Sequence, residues 1–479
     1  SHAFVPQKGI ITNARIHRNK RYVVNIDLED FFGSIHFGRV MGYFEKNTDF
    51  RMSHEVAVVI AQLCCHNGKL PQGAPTSPIV SNMICEILDF RLLKIAKKYR
   101  VDYTRYADDL SFSTNDKAFL KKYNAFYNEV NGVIHHAGFT INTKKTRLLY
   151  RDSRQTVTGL VVNKKLSVNH QYCSKTRAMA YSLYKTGECQ INGETGTIAQ
   201  LEGRFAFINQ VDKYDNKYCK TKKRDSKTLN GREKQYQKFL FYKYFYANPK
   251  SLIVTEGKTD ILYIKAALMN QFEKYPNLIQ RQPNGNFDFK VSFFRRSKRL
   301  RYFFDIGLDG ADTLKNIYHF YIGGENRTPY FNYFSTVCEN LPEHPVILIF
   351  DNELSDKDRP ISKFVRSAGK DEKFKESLKE SLGEQLVPKA NLYIVTHQLV
   401  EGASLCEIED LFNEQTRKQI IDGKKLSLKN KYDTSTEYGK DTFSKFVLSN
   451  YRTIDFSQFT PLLDKIDEIV AGAKEPAMC

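Results

Sequence analysis

No stretch of this 479-residue chain runs to 18 consecutive apolar residues, which excludes an ordinary membrane-spanning helix. The longest apolar stretch, residues 56–65, contains Gln62 and is too short to span a bilayer. No secretory signal pattern is visible. The nine cysteines are odd in number and include no Cys-x-x-Cys pair, so they read as reduced, mostly buried thiols of a cytosolic protein. Internal repeats and long low-complexity tracts are absent. The first residue is Ser1 rather than Met, and the first motif follows within about two dozen residues; a preceding segment is expected.

The length suggests about two to four domains, and 41% hydrophobic residues suffice for real cores. Basic excess is also absent from the second half. Residues 1–250 hold 41 Lys/Arg and 21 Asp/Glu, whereas the remaining 229 hold 32 and 33. The whole net charge of +19 therefore belongs to the first half, which is expected to meet a polyanion, most simply nucleic acid.

Residues 101–113 place the pair Asp108-Asp109 between two apolar, alternating runs, as two strands meeting in a tight turn would. Carboxylates at a hairpin tip can bind a hard cation through oxygen. Most acid pairs in turns are merely solvated, so the pair needs company. A buried strand is expected over residues 22–28, with Asp27 near its end, where an acid is costly unless paired, metal-bound or capping the next helix. The rigid turn Leu70-Pro-Gln-Gly-Ala-Pro-Thr-Ser-Pro78 carries Gln72 and Gly73, and Ser77-Pro78 can open a helix running to about residue 93. A helix over residues 116–136 ends at Gly138. Residues 140–149 read as strand with Lys144-Lys145 in the turn, and residues 156–162 as a strand pair.

From about residue 165 to 247 the pattern is helical and basic, with Lys222, Lys223 and Arg224 in its densest run and aromatics interleaved over residues 236–246. Charge with stacking rings suits RNA or single strands. A core-facing aromatic stripe explains most of the rings, and the charges remain to be explained. Asn248-Pro249 marks a boundary. Beyond it, strands near residues 251–255, 345–350 and 391–396 alternate with helical stretches, implying a parallel α/β sheet with its chemistry at the strands' C-terminal ends.

Together these motifs resemble reverse transcriptases of the retron type over roughly residues 5–240. Asp27 in Ile-Asp-Leu-Glu-Asp-Phe-Phe, the Gln72-Gly73 loop, Tyr-Ala-Asp-Asp at 106–109, Gly138-Phe139 and Lys144-Lys145 stand in that family's order. Asn13 and His17 match its Asn-Ala-x-x-His, and Val157-Thr158-Gly159 its Val-Thr-Gly. The resemblance implies a right-hand α+β polymerase: fingers (incomplete) and palm over residues 1–160, and a basic, RNA-binding helical thumb over 161–247. It implies two Mg²⁺ held by Asp27, Asp108 and Asp109. Phe32 would lie against the sugar 2′ position, Gln72 and Gly73 at the nucleotide or template, and Lys144 or Lys145 at the pyrophosphate. Asn13, His17, Val157, Thr158, Gly159, Lys222, Lys223 and Arg224 would serve the RNA.

The second half resembles a TOPRIM domain, shared by topoisomerases, primases and overcoming-lysogenization-defect-type nucleases. This implies an α/β fold with a mainly parallel sheet and a helical C-terminal extension over residues 248–479. Glu256 matches that family's catalytic Glu, and Asp351-Asn352-Glu353 its Asp-x-Asp with Glu in second place. Glu407, Glu409 or Asp410 would complete a shell for one or two Mg²⁺; Asp260 is a weaker candidate. The function implied is that of a bacterial, cytoplasmic, RNA-directed DNA polymerase. It would copy part of a structured noncoding RNA into short DNA joined to that RNA, primed from a 2′-hydroxyl, with a fused nuclease for antiviral defence. Its partners would be the cognate RNA, the DNA product and dNTPs, with no membrane; a homo-oligomer is left open. A non-catalytic TOPRIM module, a group II intron-like reverse transcriptase and an RNA-binding scaffold are the competing readings.

Overall fold

The computed structural model describes residues 1–219, 228–307, 312–324, 327–388, 390–429 and 431–473. Lys222, Lys223 and Arg224, expected to bind RNA, lie outside the described residues. Two compact units divide the chain: Ser1–Thr176 with Gly203–Lys223, and Arg177–Glu202 with Arg224–Cys479. The stretch 161–247, expected as one thumb, is thus shared between the units, and its last residues, 228–247, lie in the second.

The first unit is built on an antiparallel sheet. β1 (Tyr22–Glu29) pairs on one side with β3 (Asp109–Thr114), which in turn pairs with β2 (Asp102–Tyr106). On its other side β1 pairs with β4 (Thr140–Ile141) and β5 (Arg147–Tyr150). Alternation along β1 decides what each face does. Tyr22, Val24, Ile26 and Leu28 enter the main core, with α2 (Phe37–Lys46), α3 (His54–Cys64), α4 (Ser77–Ile84), α5 (Glu86–Tyr99) and α6 (Phe119–His136). Val23 faces the other way, into a smaller core. That core is made by α1 (Ile10–Ile16), the hairpin β6 (Thr156–Val157) and β7 (Leu160–Val161), and residues 208–211. Further along that second face come Asn25 and then Asp27, so the face turns from apolar to polar to acidic.

Two boundaries differ from the sequence reading. The helix expected from residue 116 begins at Phe119, because the Asp116 carboxylate accepts the Ala118 N–H at 2.9 Å and closes a turn first. The helix opened by Ser77-Pro78 breaks at Cys85 and restarts as α5.

The second unit takes the end of α7 (His170–Thr186), the hairpin β8 (Cys189–Ile191) and β9 (Glu194–Gly196), and the start of α8 (Ile198–Cys219). α9 (Gly231–Phe241) follows. Its rings Tyr236, Phe239 and Phe241, with Tyr242, Phe245 and Tyr246 beyond it, are buried, so these aromatics form core rather than a stacking platform. The three strands expected beyond Asn248 are present as β10 (Leu252–Thr255), β14 (Val346–Phe350) and β16 (Leu392–Thr396), neighbours in a parallel sheet. β13 (Ser292–Phe293) extends it in parallel beside β10, and β15 (Gly383–Gln385) closes the other edge antiparallel. The small hairpin of β11 (Ile279–Arg281) and β12 (Phe287–Phe289) stands apart. β10 and β14 are buried along their whole length, as parallel strands covered on both faces must be. α10 (Asp260–Asn270) packs into the core on one side. Among the described residues, no helix is long and apolar enough to cross a membrane.

Candidate active sites

The antiparallel register of β1 and β3 sets Asp27 directly opposite Asp109. A two-residue turn, Ala107-Asp108, joins β2 to β3, with Ala107 at φ 56°. The Leu28 N–H donates to the Asp108 carbonyl at 3.1 Å, which ties the hairpin tip to the end of β1. Three carboxylates from two strands and a turn therefore share one end of one sheet. Burial, then the neighbouring Asp27, pushes the Asp108 carboxyl above its usual range. Burial, then Asp108 and Asp27, pushes Asp109 up to about 6. Acids that repel one another in this way are suited to a divalent cation, which would remove the repulsion. Lys145 is the cation at hand: its Nζ lies 3.2 Å from Asp27 Oδ1 and 3.3 Å from Oδ2. Among the described residues no group of three or more acids, histidines or cysteines is already placed to hold a metal ion.

The raised Asp109 has a consequence for stability. Its folded pKa exceeds the unfolded one, so the stability it contributes is present in acid and is lost as pH rises from about 4 to about 6. Asp109→Asn is expected to stabilise the metal-free protein at pH 7 by roughly 1–2 kcal/mol, after allowance for partial exposure, and to give no gain below about pH 4. Thermal unfolding in EDTA across that pH range measures it.

The hairpin is braced from behind. Arg105, 1% exposed, donates from Nε and Nη2 to the two Asp89 oxygens, both at 2.8 Å, and from Nη1 to the Ala107 carbonyl at 3.3 Å. Tyr103 adds a hydrogen bond to Asp89 at 2.7 Å. Removing one partner leaves a buried charge uncompensated, so Arg105→Met is expected to cost about 3–5 kcal/mol in urea denaturation.

The other residues expected in this unit fall into two groups. Gln72, Gly73, Lys144 and Lys145 are exposed, and Phe32 is half-buried after β1. The Ser77 hydroxyl pins the Gln72-Gly73 loop by donating to the Pro71 carbonyl at 2.6 Å. Asn13, His17 and Val157, expected to serve the RNA, are buried within the protein rather than presented at its surface. His17 bridges the Ser113 hydroxyl at 2.8 Å and the Thr104 hydroxyl at 2.7 Å, fastening the end of α1 to β2 and β3. Burial, then Lys20 and His2, pulls it down to about 3, so it is a neutral structural imidazole. Thr158 and Gly159, in the turn between β6 and β7, reach the surface, and the Thr158 hydroxyl donates to the Ile10 carbonyl at 3.3 Å. The two retron-like marks therefore pack on each other through α1.

In the second unit, Glu256 directly follows β10, Asp351 follows β14 and His397 follows β16, at the C-terminal ends of adjacent parallel strands. Ligands of open α/β sheets bind at that end. The Asp351 N–H donates to Glu256 Oε1 at 3.3 Å, and Asp351 Oδ1 accepts from the Ile408 N–H at 2.9 Å. A Cβ at Gly257 would lie 2.9 Å from Asp260 Oδ1 and displace that carboxylate, which accepts the Gly257 N–H through Oδ2 at 2.7 Å. Glu256, Asp260, Asp351 and Glu409 line an open cavity of about 390 Å³ with Lys258 and Lys440. Burial, then Asp351 and Asp260, pushes Glu256 well up; burial, then Asp351, raises Asp260. Burial also lifts Glu409 to about 7, against Lys440, whose Nζ lies 3.0 Å from it and 2.9 Å from Glu407. Crowded buried acids are thus gathered at this end of the sheet, with Lys440 against Glu409 and His397 beside Asp351.

The cavity draws in Asp260 and Glu409, but Glu353 is turned elsewhere. It is 5% exposed and pairs with Arg359 at 3.1 Å, outside the cavity lining. Glu407 is likewise outside that lining, and Asp410 pairs with Arg417 at 2.9 Å. The sequence reading missed His397 and Lys440. Burial alone would lower His397, but the neighbouring Asp351 carboxylate, whose Oδ1 lies 3.6 Å from Nε2, outweighs it and holds the ring up to about 10. Its position after a buried strand, like those of Glu256 and Asp351, was the available signal.

Residues 1–179 match the reverse transcriptase (RNA-dependent DNA polymerase) family. The chain is 34% identical to the retron Ec86 reverse transcriptase of Escherichia coli over 210 residues, covering 44% of this chain and 62% of that protein. It is 32% identical to the retron Mx65 reverse transcriptase of Myxococcus xanthus over 230 residues, covering 44% of this chain and 51% of that protein. The retron Mx162 reverse transcriptase of the same organism is 34% identical over 237 residues, covering 44% and 49%. The chain thus spans about half to three-fifths of the length of these relatives. The reverse transcriptase reading of the first unit agrees with these matches, which carry all of the residues from Asp27 to Lys145 discussed above within the family's span.

Proposed function

We propose that this chain is a retron reverse transcriptase. In this reading it copies part of a structured noncoding RNA into a short single-stranded DNA, priming from a 2′-hydroxyl of that RNA. The observation that carries it is the register that faces Asp27 with Asp109 and sets Asp108 at the adjoining tip. Asp27 and Asp108 would hold Mg²⁺, with Asp109 in support. Bound Mg²⁺ supplies Lewis-acid activation of the attacking hydroxyl and charge stabilisation at the leaving pyrophosphate. The residues themselves position and neutralise. The hairpin presents its acids from a braced turn, and Lys145 beside Asp27 brings positive charge to the site. The exposed Gln72-Gly73 loop would meet template or incoming nucleotide, and Thr158 and Gly159 the RNA. The test is incubation of the purified full chain and its copurifying RNA with Mg²⁺ and labelled dNTPs. Label is expected in DNA joined to RNA, and no label in polynucleotide would refute the reading.

The second unit is proposed as a TOPRIM nuclease effector in antiviral defence. Its support is the placement of Glu256 and Asp351 at the ends of adjacent parallel strands, with Asp260 and Glu409 beside them. A second reading, a non-catalytic nucleic-acid-binding TOPRIM module, is favoured by the Glu353–Arg359 pair, which occupies the carboxylate that the motif would otherwise offer to a metal.

A further inference from the structure

Gly138-Phe139 stands in the family's motif order, but the chemistry above gives it no task. The pairing of Leu28 with Ile141 and Glu29 with Thr140 explains why it lies where it does. That register brings Phe139, just before β4, alongside the turn that follows β1. Phe139 is 2% exposed and stacks on Phe31, 5% exposed, with ring centroids 5.5 Å apart and planes at 18°. Phe31 in turn meets Phe32 edge-on, at 5.2 Å and 67°. The Arg39 guanidinium also lies over the Phe139 ring, 4.6 Å from its centroid, while Nη1 donates to the Ser34 carbonyl at 3.2 Å. Gly138, at φ 73°, leaves room for it: a Cβ there would approach Arg39 Nη1 to 3.3 Å. Arg39, Phe139, Phe31 and Phe32 thus form one continuous stack that begins in α2 and ends at the half-buried ring.

We propose that this stack fixes the position of the Phe32 ring, so that Phe139 and Arg39 are positioning residues for discrimination between deoxyribo- and ribonucleotides. The inference rests on the expected place of Phe32 against the sugar 2′ position, where a bulky ring would reject a ribonucleotide by clashing with its 2′-hydroxyl. A ring excludes an extra oxygen only if it cannot retreat. Phe31 backs the Phe32 ring on one side, and Phe4, with centroids 6.4 Å away, contacts it as well. Loosening Phe31 from behind would let the Phe32 ring yield to a ribose without touching the acids that carry the reaction.

The experiment measures single-nucleotide primer extension by the full chain, with each dNTP and its rNTP, for wild type, Phe32→Ala, Phe139→Leu, Arg39→Gln and the double variant Phe32→Ala/Phe139→Leu. Phe139→Leu is expected to lower the dNTP-to-rNTP selectivity about ten-fold, the size of a lost aromatic stacking contact, with dNTP efficiency within about two-fold of wild type. Arg39→Gln should move selectivity in the same direction by a smaller factor, and it decides the matter if Phe139→Leu does not fold. The double variant should be no less selective than Phe32→Ala alone. If Phe32→Ala relaxes selectivity while Phe139→Leu and Arg39→Gln leave it unchanged, the stack has no such role and the blocking function of Phe32 stands. If Phe32→Ala itself leaves selectivity unchanged, the blocking function fails and the inference with it.

Discussion

Asp108→Asn is expected to lower DNA synthesis by about a thousand-fold or more while leaving the protein folded and RNA-bound. The substitution keeps the shape of the side chain and removes one unit of charge from the hairpin tip. Asp108 is already held above its usual range by burial and by Asp27, so a neutral side chain there relieves repulsion rather than creating it. The turn should survive as well, because the bond that ties it to β1 uses the Asp108 carbonyl and not its side chain. What is lost is one of the two carboxylates that would hold Mg²⁺ against the reacting phosphate. Steady-state primer extension with saturating dNTP would show the loss in kcat, with circular dichroism and RNA copurification unchanged. Residual synthesis within ten-fold of wild type would remove Asp108 from the metal site.

The second large effect is expected at Glu256. If the second unit cleaves nucleic acid, Glu256→Gln should abolish Mg²⁺-dependent nucleolysis, again by about a thousand-fold, and leave DNA synthesis intact. Loss through unfolding is not expected. The folded pKa of Glu256 is raised, so its stabilising contribution is greatest in acid and declines as pH rises through that value; a neutral Gln mimics the form that the fold prefers. Thermal stability in EDTA at pH 7 should therefore be at least that of wild type. Unchanged cleavage by Glu256→Gln would favour the non-catalytic reading that Glu353 motivates.

The placement of Asp27, Asp108 and Asp109 at one end of a sheet was legible because strand periodicity and a two-residue turn leave few choices. Alternation along residues 22–28 and 101–113 set which side chains share a face, and the register of β1 and β3 places Asp27 opposite Asp109. The parallel sheet was legible for a similar reason: β10 and β14 are continuous apolar runs. Burial of polar groups was not legible. Asn13 and His17 carry the composition of a surface motif, and only the packing of α1 on β2 and β3 turns His17 inward between two hydroxyls. Pairing choices were equally hidden. Glu353 has the right spacing for a metal ligand, yet Arg359, six residues on, captures it. His397 was signalled only by its place after a buried strand, and Lys440 reaches the acidic cavity from a position far along the chain of which local sequence carries no sign.

The most direct measurement is isolation of the nucleic acid bound to the full chain expressed with its RNA, for wild type and for Asp108→Asn, followed by separate RNase and DNase digestion. Wild type should yield a DNA that stays attached to RNA and shortens under both enzymes, and Asp108→Asn should yield RNA alone. RNA without DNA from wild type, or the same DNA from both proteins, would contradict the assignment of this site to reverse transcription.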